Sequence, residues 1–431
     1  MNKHIIIATY DGIGTHYSGV GTIAKNLIFS LSALSEKYNY RVSISYINVD
    51  KSSKIFNIEC FRESLSLVNK TRGQIIPLCN TTKGESEWDM WRSFEEWDFT
   101  CVSLVTSLNT IINDDEENIL ILNDTPFLMF ARFKDLVFKK NLKCFYFPLS
   151  TGLNHAFGRD AWRNKRIKIE KDCFALIKND PDSKVIALGK SFSKSMHRDY
   201  GLDFNQNDYL QNGLCFEKYN NYLDKRFVNS DLVKYNINIA SDKKIIFSWG
   251  RCSIAKGFRE VANAWVKAHE SLPNHYLILQ IPNNSGEPDY FAGIKEILKD
   301  IPRSIIINDF NPDIWKTVLR TDSTEVVCIP SLMDPFPHTS IEAKLFSKGM
   351  NFITLISNVG GAVDAFDENE SIYIDPRDTV VFANKIIETV NMEMDKRKEI
   401  INRNIQSIEK FNFPKIFERF IINNGFTKKF I

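Results

Sequence analysis

The chain has 431 residues, with 55 Lys and Arg against 53 Asp and Glu, for a formal net charge of +2; 43% of its residues are hydrophobic and 25% charged. That near-balance excludes a broad nucleic-acid surface, which needs a basic excess to meet phosphates, and it excludes a highly charged disordered tail. One core stops growing at about 250–300 residues, so two domains of roughly 200 residues each are expected. The eight cysteines stand singly, with no C-x-x-C pair and no His–Cys cluster at zinc spacing, as suits a reducing compartment. The apolar run Ile5–Ala8 is too short for a signal-peptide core. No run approaches the ~18 apolar residues that span a bilayer. A cytoplasmic protein with no metal and no resident cofactor is expected.

In chain order, residues 5–10 read as a strand, and a glycine-rich loop follows over 11–21. A helix then carries Ile23, Leu27, Leu31 and Leu34 on one face. A second strand is expected over 41–49, and residues 51–87 read as irregular and polar. Trp88, Trp91, Phe94 and Trp97 recur every third residue and predict a helix over 87–113. Such a stripe reads first as helix core, and otherwise as an aromatic platform for a sugar. Buried strands are expected at 119–122, 144–147 and 184–188. Between the last two, Arg159, Arg163, Lys165, Arg166, Lys168 and Lys171 form a basic run. The run reads as a solvated helix face, with a weak peripheral contact to anionic membrane as the alternative.

The second half is more regular. Strands at 244–249, 276–281, 304–307, 325–329, 351–356 and 371–374 alternate with amphipathic helices. This pattern predicts a doubly wound parallel sheet, and the β-loop-α-β start of the chain predicts another. The polar stretch 218–242 is expected to link the two.

Ligands of such sheets bind where strands end and helices begin, so the residues after each strand are the candidates. Gly19 and Gly21 open the first helix, and Gly19 to Ala24 matches the dinucleotide pattern G-x-G-x-x-A. Gly250-Arg251, with Lys256-Gly257, places two cations at a strand end, suited to a diphosphate. The segment Pro330 to Ala343 carries Asp334 in its loop and Glu342 in the following helix, where carboxylates can accept hydrogen bonds from sugar hydroxyls. Gly360-Gly361 follows another strand and permits close backbone approach.

Together these residues resemble the retaining glycosyltransferases of family 4. That resemblance implies the GT-B fold: two Rossmann-like, doubly wound parallel-sheet α/β domains facing a central cleft. Residues 1–220 would form the acceptor-side domain, with a helix from 412–431 packing back on it. Residues 221–411 would form the donor-side domain. The resemblance covers nearly the whole chain and rests on G-R…K-G at 250–257, on two acids separated by seven residues at 334 and 342, on Gly360-Gly361 and on Asn212-Gly213. By it, Arg251 and Lys256 bind the diphosphate of a nucleotide sugar, UDP- or GDP-linked. Asp334 touches the hydroxyls of the transferred sugar, and Glu342 the ribose. His338, Thr339, Gly360 and Gly361 complete the donor site, and Gly19 and Gly21 lie by the phosphates and acceptor. Arg251, Lys256 and Asp334 would carry catalysis.

The sequence departs from the family at three places. Asp334 stands where the family usually has the longer Glu. Pro335 and Pro337 carry no amide to offer a phosphate. The first-domain histidine that reaches the sugar has no clear counterpart, so Ser150, Thr151 and His155 are the candidates for its place. The implied activity is sugar transfer to an acceptor hydroxyl with retention and without metal. The alternatives are a non-catalytic nucleotide-sugar-binding homologue and a dinucleotide-dependent oxidoreductase, the latter resting on Gly19 to Ala24 alone.

Overall fold

The computed structural model describes residues 2–15, 18–47, 51, 56–79, 91, 93–138, 141–154, 160–283, 287–309, 311–367 and 369–427. The chain divides into two units, residues 1–215 with 413–431, and residues 216–412.

The first unit runs β1 (Asn2–Thr9), α1 (Gly19–Leu34), β2 (Tyr40–Ile47), α2 (Ile58–Lys70), β3 (Ile75–Leu78), α3 (Phe94–Ile111), β4 (Glu116–Asn123), β5 (Leu142–Phe147), α4 (Asp160–Lys178), β6 (Ser183–Val185) and α5 (Lys190–Tyr200). Its six strands form one parallel sheet in the order β3-β2-β1-β4-β5-β6. The middle strands carry unbroken aliphatic runs, Ile5–Ile7 and Ile119–Leu122, all fully buried. A strand covered by helices on both faces demands that composition. The order reverses between β1 and β4, so the loops leaving these two strands part and open a crevice at their carboxyl ends.

The second unit begins with the one-turn helix α6 (Asn220–Leu223). It continues through β7 (Lys244–Trp249), α7 (Phe258–Ala268), β8 (His275–Gln280), α8 (Pro288–Leu298), β9 (Ser304–Ile307), α9 (Pro312–Leu319), β10 (Thr324–Ile329), α10 (His338–Phe346), β11 (Ile353–Ser357), β12 (Ile372–Ile374), α11 (Thr379–Val390) and α12 (Met394–Gln406). The order β12-β11-β10-β7-β8-β9 is again all parallel, with its reversal between β10 and β7. Helix α7 buries Phe258, Val261, Ala262, Trp265 and Ala268 on one face. Each large side chain so buried contributes about 1.5–3 kcal/mol. The last helix, α13 (Phe413–Asn423), belongs to the first unit. There Phe420 meets Phe145 and Phe147, and the Phe413 amide donates to the Leu214 carbonyl.

Four expectations change. Residues 51–87 are not simply irregular, since they contain α2 and β3. Helix α2 buries Cys60, Ser64, Leu67 and Val68, a stripe too polar to stand out, and β3 is a four-residue edge strand with Pro77 in it. Helix α3 begins at Phe94 rather than near 87, because Ser93 caps it by accepting from the Glu96 amide. Trp88 lies outside the described residues, while Phe94 and Trp97 are core and Trp91 precedes the helix. The stretch 218–242 is packed: Leu232 and Ile237 are buried, and the Asn229 side chain donates to the Ala240 and Lys243 carbonyls. Finally, the basic run is no uniformly solvated face. Arg166 is 3% exposed and bonded to the fully buried Glu170, and Arg163 donates to the Gly152 and Leu153 carbonyls.

Candidate active site

In the second unit the loops after β7 and β10 are laced together at the sheet reversal. The Leu332 and Met333 amides donate to the Ala255 carbonyl at 2.8 and 3.3 Å. This lacing brings Lys256 and Asp334 into an ion pair, Nζ to Oδ2, with both side chains largely shielded. Asp334 Oδ1 accepts from the Phe336 amide at 3.2 Å, closing an Asx turn. The Asp334 carbonyl accepts from the Gly361 amide at 2.7 Å. A Cβ on Gly361 would lie 1.7 Å from the Pro335 carbonyl oxygen, so this glycine lets a neighbouring loop approach. Gly360 is beside it, against the same Asp334 backbone.

Arg251 stands exposed on the β7 loop and makes no ion pair among the described residues. His338 and Thr339 open α10, whose N-cap position is Pro337 and supplies no side-chain cap. An uncapped helix N-terminus four residues after the acid that holds Lys256 is suited to an anion. Of the expected donor-site residues, the structure therefore joins Lys256, Asp334, Gly360 and Gly361 directly, with Arg251, His338 and Thr339 on the flanking loop and helix.

Glu342 lies past the first turn of α10, too far along to serve as a helix-terminus charge. Its Oε2 accepts from Trp249 Nε1 at 3.3 Å. Burial raises its carboxyl from 4.5 to about 7, against the opposing pull of the indole hydrogen bond and of Lys316 and Lys256. The Trp249 ring stacks against both Phe247 and Trp315, with centroids 5.3 and 5.7 Å away.

In the first unit a buried carboxylate follows each of the two strands at the reversal. Asp11, 1% exposed, follows β1 and accepts from the Gly12 amide, Thr15 Oγ1, the Ser18 amide and Ser18 Oγ, at 2.7–2.9 Å. Ser18 in turn caps α1 by accepting from the Val20 and Gly21 amides. Gly19 is the first residue of that helix, and a Cβ on Gly21 would lie 2.5 Å from Asp11 Oδ2. The Gly19–Gly21 turn thus faces a carboxylate of its own chain, where a dinucleotide reading would need the pyrophosphate.

At the end of β4, Asp124 sits at φ 90°, in the region that favours glycine. It accepts from Tyr10 OH at 2.8 Å and the Leu149 amide at 3.1 Å, and burial holds its carboxyl above the ordinary value. Ser150 Oγ accepts from Arg166 Nη2 at 2.8 Å, and buried Thr151 accepts from the Asn154 amide. His155 lies outside the described residues. Asp11, Asp124, the Arg166–Glu170 pair and Trp249 were not singled out from sequence. An Asp directly after a buried strand, as at 11 and 124, was the available signal. Among the described residues no group of three His, Cys, Asp or Glu could hold a metal, and no helix is long and apolar enough to cross a membrane.

Residues 230–407 match the family model described as glycosyl transferases group 1. Comparison with curated proteins finds no match. Among solved structures, the chain is similar to the N-terminal domain of trehalose-6-phosphate phosphatase from Candida albicans, with a TM-score of 0.72, 13% identity and coverage of 98% of this chain and 97% of that one. A glycosyltransferase from Rickettsia africae gives 0.67 at 12% identity, covering 100% of both chains. Anabaena HepE, solved with UDP-glucose, gives 0.66 at 14% identity, covering 98% and 99%. These likenesses establish the GT-B fold of two Rossmann-like sheets, and the match over residues 230–407 supports a nucleotide-sugar-dependent glycosyltransferase.

Proposed function

We propose that the protein moves a sugar from a nucleoside diphosphate to an acceptor hydroxyl, with retention of configuration and without a metal. The observation that supports this most is the Lys256–Asp334 pair at the β7–β10 reversal, with exposed Arg251 on the same β7 loop and the uncapped start of α10 four residues after Asp334. As the bond between the sugar C1 and the phosphate oxygen breaks, negative charge grows on the departing diphosphate. Arg251, Lys256 and the α10 amides would meet that charge as it forms, the role a divalent cation fills elsewhere. The acceptor oxygen bonds to C1 on the same face, and its proton passes to the departing phosphate oxygen. Asp334 would accept from hydroxyls of the transferred sugar while holding Lys256, and Glu342 from the ribose. The loops bearing Ser150 and Thr151 would form the acceptor side. A UDP-linked donor is the first to test, since HepE is solved with UDP-glucose. Eight cysteines, none of them bridged, favour a cytoplasmic setting.

A calorimetric screen of UDP, GDP, UDP-glucose and NAD tests the reading, followed by donor hydrolysis in wild type and Lys256→Ala. UDP or GDP is expected to bind and NAD not to, with hydrolysis lost in the variant. Binding of NAD alone overturns the reading. Tight nucleotide binding with neither hydrolysis nor transfer would make the protein a binder, an outcome that the internally bonded Asp334 and the two loop prolines motivate.

A further inference from the structure

The Trp249–Glu342 contact carries a consequence for how a ribose is held. The indole packs near-parallel to two rings, 6° from Phe247 and 13° from Trp315. A ring so held has one orientation, and an indole nitrogen only donates. Its N–H here addresses one carboxylate oxygen, Oε2, at 3.3 Å. No hydrogen bond reaches Oε1 among the described residues.

We propose that Trp249 is a positioning residue: by fixing Oε2 of Glu342 it presents Oε1 to the 2′,3′-diol of the donor's ribose. This rests on the nucleotide-sugar reading above. A carboxylate already held on one oxygen loses less rotamer freedom when its other oxygen takes a ligand, which is the gain from preorganisation. The indole also favours the ionised form, which can accept from both hydroxyls of a diol. That form is opposed by burial and supported by Lys316 from α9 and by Lys256 from the β7 loop, the latter shared with Asp334.

The test is calorimetry of UDP, GDP and 2′-deoxy-UDP on wild type, Trp249→Phe, Glu342→Gln and the double variant. Phenylalanine keeps a ring in the stack and removes the donor. Loss of a hydrogen bond to a charged group corresponds to about tenfold, so Trp249→Phe is expected to bind ribonucleotide about tenfold more weakly. Wild type should prefer UDP to 2′-deoxy-UDP, and the variant should lose most of that preference. The double variant should bind like Glu342→Gln alone. Wild-type affinity should rise as pH climbs through about 7, and in Trp249→Phe that rise should move to higher pH. Wild type binding UDP or GDP, with Trp249→Phe unchanged in affinity, diol preference and pH profile, overturns the proposal while leaving the donor reading intact. Wild type binding neither UDP nor GDP overturns both. If Trp249→Phe does not fold, equal binding of UDP and 2′-deoxy-UDP by wild type overturns it instead.

Discussion

The two sheet reversals have the same topology and opposite electrostatics. Between β1 and β4 the first unit sets carboxylates, and its own donors satisfy them. Asp11 takes four hydrogen bonds from the adjoining loop, Asp124 takes Tyr10 OH and the Leu149 amide, and farther along, beyond β5, Glu170 of α4 takes Arg166, the Gly152 amide and Tyr200 OH. Between β7 and β10 the second unit sets cations. One of these, Arg251, is exposed, and the other, Lys256, is held by a single acid. Helix α1 begins under a serine cap and a carboxylate, whereas α10 begins uncapped. The fold dictates where a crevice opens, and the side chains at the strand ends decide whether it becomes scaffold or anion receptor. Substitutions at the first reversal should therefore register as stability, and at the second as function.

The largest effect is expected at the Arg166–Glu170 pair. Arg166→Met leaves the Glu170 charge buried without its cation, which costs about 3–5 kcal/mol of stability. Urea denaturation followed by circular dichroism measures it, and a loss below about 1 kcal/mol would remove the scaffold role assigned to this first-unit network. At the other reversal, Lys256→Ala should slow transfer by about 100- to 1,000-fold, or roughly 2.7–4 kcal/mol, while lowering urea stability less than Arg166→Met does, since the Lys256–Asp334 pair keeps some contact with water. Initial rates and the same urea curves, read together, separate the two kinds of effect. Gly361→Ala is intermediate. Its Cβ would meet the Pro335 carbonyl, so the loop carrying Asp334 must move, at about 1–3 kcal/mol. Weaker nucleotide binding should accompany that loss. An unchanged affinity would separate the glycine pair from the donor site.

This contrast between the reversals was only half visible in the sequence. Strands such as Ile5–Ile7 and Val326–Ile329 announce themselves because burial on both faces demands continuous apolar runs. Helix α2 and strand β3 do not, because Ser64 interrupts the buried stripe of one and Pro77 the other. The positions of Lys256 and Asp334 could be read from motif spacing, but their pairing could not, since it depends on how the Ala255 and Leu332 backbones meet. The first-unit network was less legible still. Tyr10 and Asp124 are 114 residues apart, and Arg166 looked like one member of a surface basic run. Local patterning carries no information about partners brought together by the sheet.

The smallest effect is a pH dependence that crosses the boundary drawn above, because Glu342 belongs to the receptor yet bears on stability. Its folded-state pKa, about 7, lies above the ordinary 4.5. Between those values the folded protein holds the proton and the unfolded chain has released it, so unfolding becomes easier as pH rises through this window. Below the window the residue is neutral in both states, and above it the full cost persists. Glu342→Gln removes the charge and keeps the shape. It should match wild type in urea stability near pH 4.5 and exceed it by about 1–2 kcal/mol at pH 8, while binding nucleotide less well. Equal stabilities at pH 8 would mean that the carboxylate is as comfortable as in water, and that no stability is given up there to keep an ionised acid beside Trp249.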